Sequence, residues 1–120
     1  RRIDSIEIFG QRTMMITIDK LVEELGMEPD EVAEFISVFL DYTENEDLPA
    51  LLEGVNSRNP EIVRQRAHSI KGAALNLMLT EISSLAEQME KNAASGNLDQ
   101  SEARYNAIVE KVKMVRDLLT

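Results

Sequence analysis

Apolar residues recur at three- and four-residue intervals along most of the chain, and the strict alternation of a half-buried strand is absent. TIDKLVEELG places Ile18, Leu21, Val22 and Leu25 on one helical face, and Gly26 supplies a stop. Pro29, Asp30 and Glu31 open a second helix, because proline suits a first turn and acids suit the positive end of the helix dipole. Its apolar side runs through Val32, Phe35, Ile36, Phe39 and Leu40. Beyond the polar YTENED, Pro49 stands among Leu48, Leu51, Leu52 and Val55. This pattern suits one long helix kinked at the proline or two helices broken near Asp47, and the kinked helix is the expectation. Asn59 then acts as N-cap and Pro60 takes the first position of a helix expected to reach about Leu79.

Thr80 can cap the next helix, where Ile82, Leu85, Ala86 and Met89 repeat before Gly96 ends it. DQSE at 99–102 has capping-box spacing, with Asp99 in place of the usual Ser or Thr, and Tyr105, Ile108, Val109, Val112 and Val115 mark the last helix. RRIDSIEIFGQRTMMI, by contrast, has no clear period and contains Gly10. The pattern predicts an all-α fold, an antiparallel up-and-down four-helix bundle with an additional N-terminal helical segment. Residues 1–17 form the lead-in and residues 18–120 the bundle.

At 120 residues the chain has room for one domain with a single core, too little for a self-contained kinase. It has no cysteine, hence neither a disulfide framework nor a thiolate metal site, in keeping with a reducing cytoplasm. No apolar run approaches a membrane span, so no direct membrane contact is expected. Arg1 in place of methionine, with no charged-then-apolar leader behind it, points to a piece of a longer chain whose parent could be membrane-anchored.

The formal net charge of −9 argues against nucleic acid as partner, since such binding comes largely from neutralising phosphates. The charge is uneven, however. Glu28 to Asp47 holds 8 acidic residues and no base, whereas Arg58, Arg64, Arg66 and Lys71 face Glu61 alone between 58 and 71. The single histidine, His68, sits in that basic zone, which suits an anionic partner or a phosphoryl group.

At about 100 degrees per residue, the helix from Pro60 turns Val63, Ile70, Ala73, Ala74 and Leu77 toward a core. Glu61, Arg64, Gln65, His68, Lys71, Gly72 and Leu75 lie on the opposite, exposed face. Arg66 falls near the apolar side, with its guanidinium expected to snorkel out at the edge. Gly72 costs a helix interior about 1 kcal/mol relative to alanine. That cost is explained if something must approach His68 without meeting a β-carbon, and Lys71, one turn on, could reach a group attached to the imidazole. No glutamate stands three residues before His68, so the Glu-x-x-His signature of di-iron bundles is missing and no metal site is expected.

AHSIKGAALNL resembles the phosphorylation motif of histidine-containing phosphotransfer (HPt) domains: histidine, two variable residues, Lys-Gly, two small residues and an apolar stretch. The resemblance extends through the flanking amphipathic helices, over roughly residues 18 to 119. One departure is Met78, where many members carry glycine at the end of the motif helix. The resemblance implies a phosphorelay intermediate of a two-component system, with His68 as the phosphorylated nucleophile and no autonomous kinase activity. In the family the remote ring nitrogen takes the phosphoryl group while the near one commonly donates to a Glu or Gln on the following helix. Matching LAEQMEK to that position points to Glu90, with Gln88 as second candidate.

Phosphoryl transfer asks the protein mainly for in-line positioning and charge compensation. Lys71, helped by Arg64, answers the second need. Gly72 and Leu75, beside Arg64 and Gln65, offer a partner-binding surface. The implied partner is a response-regulator receiver domain, for example that of a hybrid sensor histidine kinase, whose aspartate exchanges the phosphoryl group and whose pocket holds the Mg²⁺. This chain itself needs no cofactor. A closed bundle with one exposed histidine is adequate as a monomer in the cytoplasm, alone or as the cytoplasmic part of a membrane-anchored sensor kinase.

Three other readings compete. A sensor-kinase dimerisation bundle usually follows its histidine with an acid and later a proline, which Ser69 and Ile70 do not match. A hydrolase would lack a motif-embedded nucleophile. The alternative that remains is a non-catalytic helical adaptor binding a signalling partner through the same face.

Overall fold

The computed structural model describes residues 17–119, and the expectation for the lead-in lies outside the described residues apart from Thr17. Thr17 caps the first helix, α1 (Ile18–Leu25): its Oγ1 accepts the Lys20 amide proton at 3.0 Å, and Gly26 ends the helix with a left-handed φ of 67°. α2 (Pro29–Tyr42) starts at the expected proline, with Glu31 Oε1 accepting the Glu28 N–H at 3.0 Å.

The chain does not break at YTENED. α2 passes into a π-helical turn (Thr43–Asp47) and then α3 (Leu48–Asn56), so residues 29–56 form the continuous distorted helix that the proline implied. Pro49 is the cause. It has no N–H to give and its ring presses on the carbonyl four residues back, and a π-bulge relieves both by widening the turn. The Leu48 amide accordingly bonds the Thr43 carbonyl, five residues back.

α4 (Pro60–Asn76) follows a turn of Ser57, Arg58 and Asn59, α5 (Thr80–Ala94) a turn of Leu77, Met78 and Leu79, and α6 (Ser101–Asp117) a longer link. The C-terminal turns of α3, α4 and α5 share one hydrogen-bond pattern. Asn59, Leu79 and Asn97 each donate their amide to a carbonyl five residues earlier, around a left-handed residue at Arg58, Met78 and Gly96. This is the Schellman termination that glycine usually occupies. α4 therefore ends at Asn76 rather than Leu79, in a conformation that a methionine does not advertise.

Two helix starts also differ from expectation. Thr80 lies inside α5, where its carbonyl accepts the Ser83 hydroxyl proton at 3.0 Å, and the N-cap position falls at Leu79. DQSE forms no capping box: Gln100 is the N-cap of α6 with no side-chain cap bond, and the Asp99 amide donates to Asn97 Oδ1.

α4 packs most extensively on α5, and on its other side against α3 and the π-helical turn. α6 closes against α5, α3 and α2, while α1 rests on α2. The result is a helical bundle with one core, in which Ile36, Leu51, Val63, Ile70, Leu79, Ile82, Met89, Ile108, Val112 and Val115 are buried. Gly54 lets α3 and α4 approach: a β-carbon there would stand 2.7 Å from Ile62 Cγ2. Phe35, expected in the core, is instead half exposed, because the α2 face that meets the bundle is carried by Val32, Ile36, Phe39 and Leu40. Among the described residues no helix is long and apolar enough to cross a membrane.

Candidate functional site

The site is built on α4, whose start is fixed by Asn59. The Asn59 Oδ1 accepts the amide protons of Glu61 and Ile62 at 3.1 and 3.3 Å. From that start the helical period carries Val63, Ala67, Ile70 and Ala74 into the core, leaving His68, Gly72 and Leu75 exposed. Its long contact with α5 brings Glu90 alongside, next to the buried Met89 that anchors that face.

Glu90 is the centre of the arrangement. Its Oε2 lies 2.8 Å from His68 Nδ1 and its Oε1 lies 2.9 Å from Lys71 Nζ. Desolvation of the partly buried Glu90 favours its neutral form, but hydrogen bonding to Lys71 and His68 and their charges outweigh it, so its pKa is lowered. The bond to Glu90, outweighing desolvation, raises the pKa of Lys71. An ionised carboxylate can only accept, so the 2.8 Å contact requires the proton on Nδ1 and, in the neutral ring, leaves the lone pair on Nε2. Among the described residues nothing bonds Nε2, and the His68 side chain is 65% exposed.

Arg64 and Gln65 share the exposed face but are occupied elsewhere. Arg64 grips Glu61 through two bonds of 3.2 and 2.6 Å, and Gln65 Nε2 donates to Glu61 Oε2 at 3.1 Å. Gln88, the second candidate for imidazole orientation, is exposed, and its side chain hydrogen-bonds none of the described residues. Gly72 opens onto empty space: apart from its own stretch of helix, no atom lies within 4 Å of the position its β-carbon would take. Among the described residues no cluster of His, Asp and Glu is able to hold a metal ion.

Two features escaped the sequence reading. Phe35 and Val38, 50% and 64% exposed, flank a shallow apolar groove on the near side of α4, completed by Phe39, Ala73, Asn76 and Leu77. The only sequence signal was an excess of apolar residues on α2 over what one buried face needs. The second feature is the partner of Arg66: the side chain stays 36% exposed at the edge, as expected, but its Nη1 is 3.2 Å from Oδ1 of Asp47, a residue with no exposed surface. The same carboxylate accepts the Ser69 hydroxyl proton at 2.7 Å.

Comparison with known proteins gives one match. The family model described as Hpt domain covers residues 34–118, from within α2 to the end of α6. No curated protein and no solved structure matches the chain. Hpt domains are helical bundles that act as phosphotransfer modules rather than autonomous kinases, and they typically interact with response-regulator receiver domains. The match spans well over half of the sequence and includes every element that builds the site, so the chain belongs to the Hpt domain family, with a histidine phosphotransfer role in two-component phosphorelay.

Proposed function

We propose that His68 accepts a phosphoryl group on Nε2 from the aspartyl phosphate of a receiver domain and returns it to such an aspartate. The observation that carries this reading is the His68–Glu90 contact, which holds the proton on Nδ1 and leaves the outward nitrogen as nucleophile. In the forward step the Nε2 lone pair attacks phosphorus, the N–P bond forms, the acyl phosphate P–O bond breaks, and the aspartate leaves as a carboxylate. The positive charge that develops on the ring faces the Glu90 carboxylate, which is already in place.

Lys71 compensates the charge of the phosphoryl oxygens. Its ammonium rests on Glu90 beforehand, so engaging the phosphoryl group means exchanging one anion for another within the same turn of surface. Gly72 and Leu75, with Phe35 and Val38 beside them, receive the partner, while Arg64 and Gln65 border it. Mg²⁺ belongs to the receiver pocket, and this chain contributes no ligand to it. The domain acts as a monomeric four-helix antiparallel bundle over residues 18–120, in the cytoplasm, where a receiver can meet it.

The test is to mix the domain with a phosphorylated receiver and Mg²⁺ and follow an acid-labile, alkali-stable label on wild type and His68→Gln. Label on wild type alone is expected. Equal label on both would overturn the assignment. Receiver binding without label on either would favour the adaptor, for which the exposed Phe35, Val38 and Leu75 already provide a binding face.

A further inference from the structure

α4 is braced at the His68 turn by two carboxylates, one from each neighbouring helix. On one flank Glu90 holds His68 and Lys71. On the other, Asp47 holds Arg66 and Ser69, the residues two before and one after His68. The second brace lies away from the reacting atoms and takes no part in the chemistry described above.

Its construction is costly unless rotation of α4 matters. Asp47 has no exposed surface, and removing a carboxylate from water is unfavourable without full compensation by partners. Both of its oxygens are in fact used, by Arg66 Nη1 at 3.2 Å and Ser69 Oγ at 2.7 Å. Both donors come from one ridge of α4, so the carboxylate fixes that ridge against a single point. That point is the last residue of the π-helical turn, a distortion that Pro49 imposes and that Arg116, paired with Glu44 in the same turn, ties to α6. In the same turn Thr43 is buried with no hydrogen-bond partner for its hydroxyl, so the backbone there keeps its shape although one polar group goes unsatisfied.

A helix that turns about its axis carries its outward side chains furthest. An imidazole stands roughly 6 Å or more from the axis, so a rotation of about ten degrees displaces its ring by about 1 Å, which can cost on the order of 100-fold in rate. We infer that Asp47 is a positioning residue for the phosphoryl chemistry of His68: through Ser69 and Arg66 it sets the rotation of α4 at which Nδ1 meets Glu90 and Nε2 is presented in line. This rests on the proposed phosphotransfer at His68. Asp47 touches neither the phosphoryl group nor the partner, so its loss acts on the rate within the complex and not on docking.

The decisive variants are Ser69→Ala, Ser69→Thr and Asp47→Asn, assayed well below their melting temperatures in single-turnover transfer from a phosphorylated receiver. Ser69→Ala removes one of the two bonds of the Asp47 brace, spares the buried carboxylate and its arginine, and keeps the inference testable if Asp47→Asn fails to fold. Expected are a roughly 10-fold slower maximal transfer rate for Ser69→Ala, an unchanged half-saturating receiver concentration, and recovery of the rate in Ser69→Thr, which keeps the hydroxyl. The ¹⁵N signals of the His68 ring should shift in Ser69→Ala from the Nδ1–H tautomer toward a mixture. A Ser69→Ala rate equal to wild type, a loss confined to half-saturation, or unchanged ring signals would overturn the role of Asp47 while leaving phosphotransfer intact. A wild-type domain that takes no label would instead overturn the phosphotransfer reading, and this inference with it.

Discussion

Glu90 Oε2 stands 2.8 Å from His68 Nδ1, across the interface of α4 and α5. The His68 ring is thus oriented by the neighbouring helix rather than by its own. Glutamine in place of Glu90 keeps an acceptor for the Nδ1 proton, whereas alanine keeps none. Glu90→Ala should slow phosphoryl acceptance by about 10-fold, the equivalent of one hydrogen bond lost from the transition state, and Glu90→Gln by much less. Single-turnover labelling measures both, and an alanine variant as fast as wild type would remove Glu90 from the mechanism.

The same carboxylate gives stability a pH dependence of known sign. The folded pKa of Glu90 is lowered, so its contribution is fully present above the unfolded value of about 4.3 and is lost as pH falls through the folded value. The folded pKa of Lys71 is raised, so its contribution is present below about 10.4 and is lost as pH rises through the folded value. The stability difference between wild type and Glu90→Gln should therefore be flat through neutral pH and shrink on both flanks in urea unfolding series. A difference that grows on acidification would contradict the Glu90 assignment.

Lys71→Ala should slow transfer by roughly 10- to 100-fold, less than a fully enclosed charge would because this site opens to water. The loss should appear in the rate within the complex and diminish at high salt. An unchanged rate would mean that the ammonium serves Glu90 alone.

Two glycines on the same stretch of fold should respond oppositely to alanine. Gly54→Ala places a methyl 2.7 Å from Ile62 Cγ2 and should destabilise by about 1–3 kcal/mol. Gly72→Ala meets nothing and should stabilise by about 1 kcal/mol, the ordinary helix preference, while weakening transfer from the receiver. Thermal melts and transfer rates on the same two proteins separate these effects, and a Gly72→Ala domain that transfers normally would end the argument that Gly72 leaves room for a partner.

Met78 holds a φ of 58°, and Gly96 holds 82° at the equivalent position of the next helix end. A side chain in that region costs about 1 kcal/mol or somewhat more, so Met78→Gly should raise stability by about that amount without altering α4. A lower melting temperature would show that the exposed methionine contributes packing that outweighs the strain.

Met78 also illustrates where the sequence was legible. Asn59-Pro60, Gly26 and Gly96 announce helix ends through side-chain chemistry or conformational freedom, and the structure has ends at all three. The left-handed turns at Arg58 and Met78 use residues with no such preference, so α4 was expected to run three residues too far. His68, Lys71 and Gly72 stood out because periodicity placed them on a polar face, and Glu90 because a resemblance supplied its position. Asp47 could not be found that way. It lies in a run of acids that reads as solvated, and only the π-helical turn, which shifts the helical register, points it and Thr43 inward. Arg66 was visible as an anomaly on an apolar face, but its partner lies 19 residues earlier in the chain.

The turn of Leu77, Met78 and Leu79 has a consequence for how the molecule assembles. His68, Lys71 and Glu90 all belong to the hairpin that this turn closes, and the contacting pair is separated by 22 positions. Short separations close with little entropy loss, and chains rich in such contacts fold quickly. The His68–Glu90 pair is thus closed by one of the more local tertiary contacts of the fold. Opening of α1 or of the last turn of α6 would break none of these contacts, because all three side chains lie on α4 and α5.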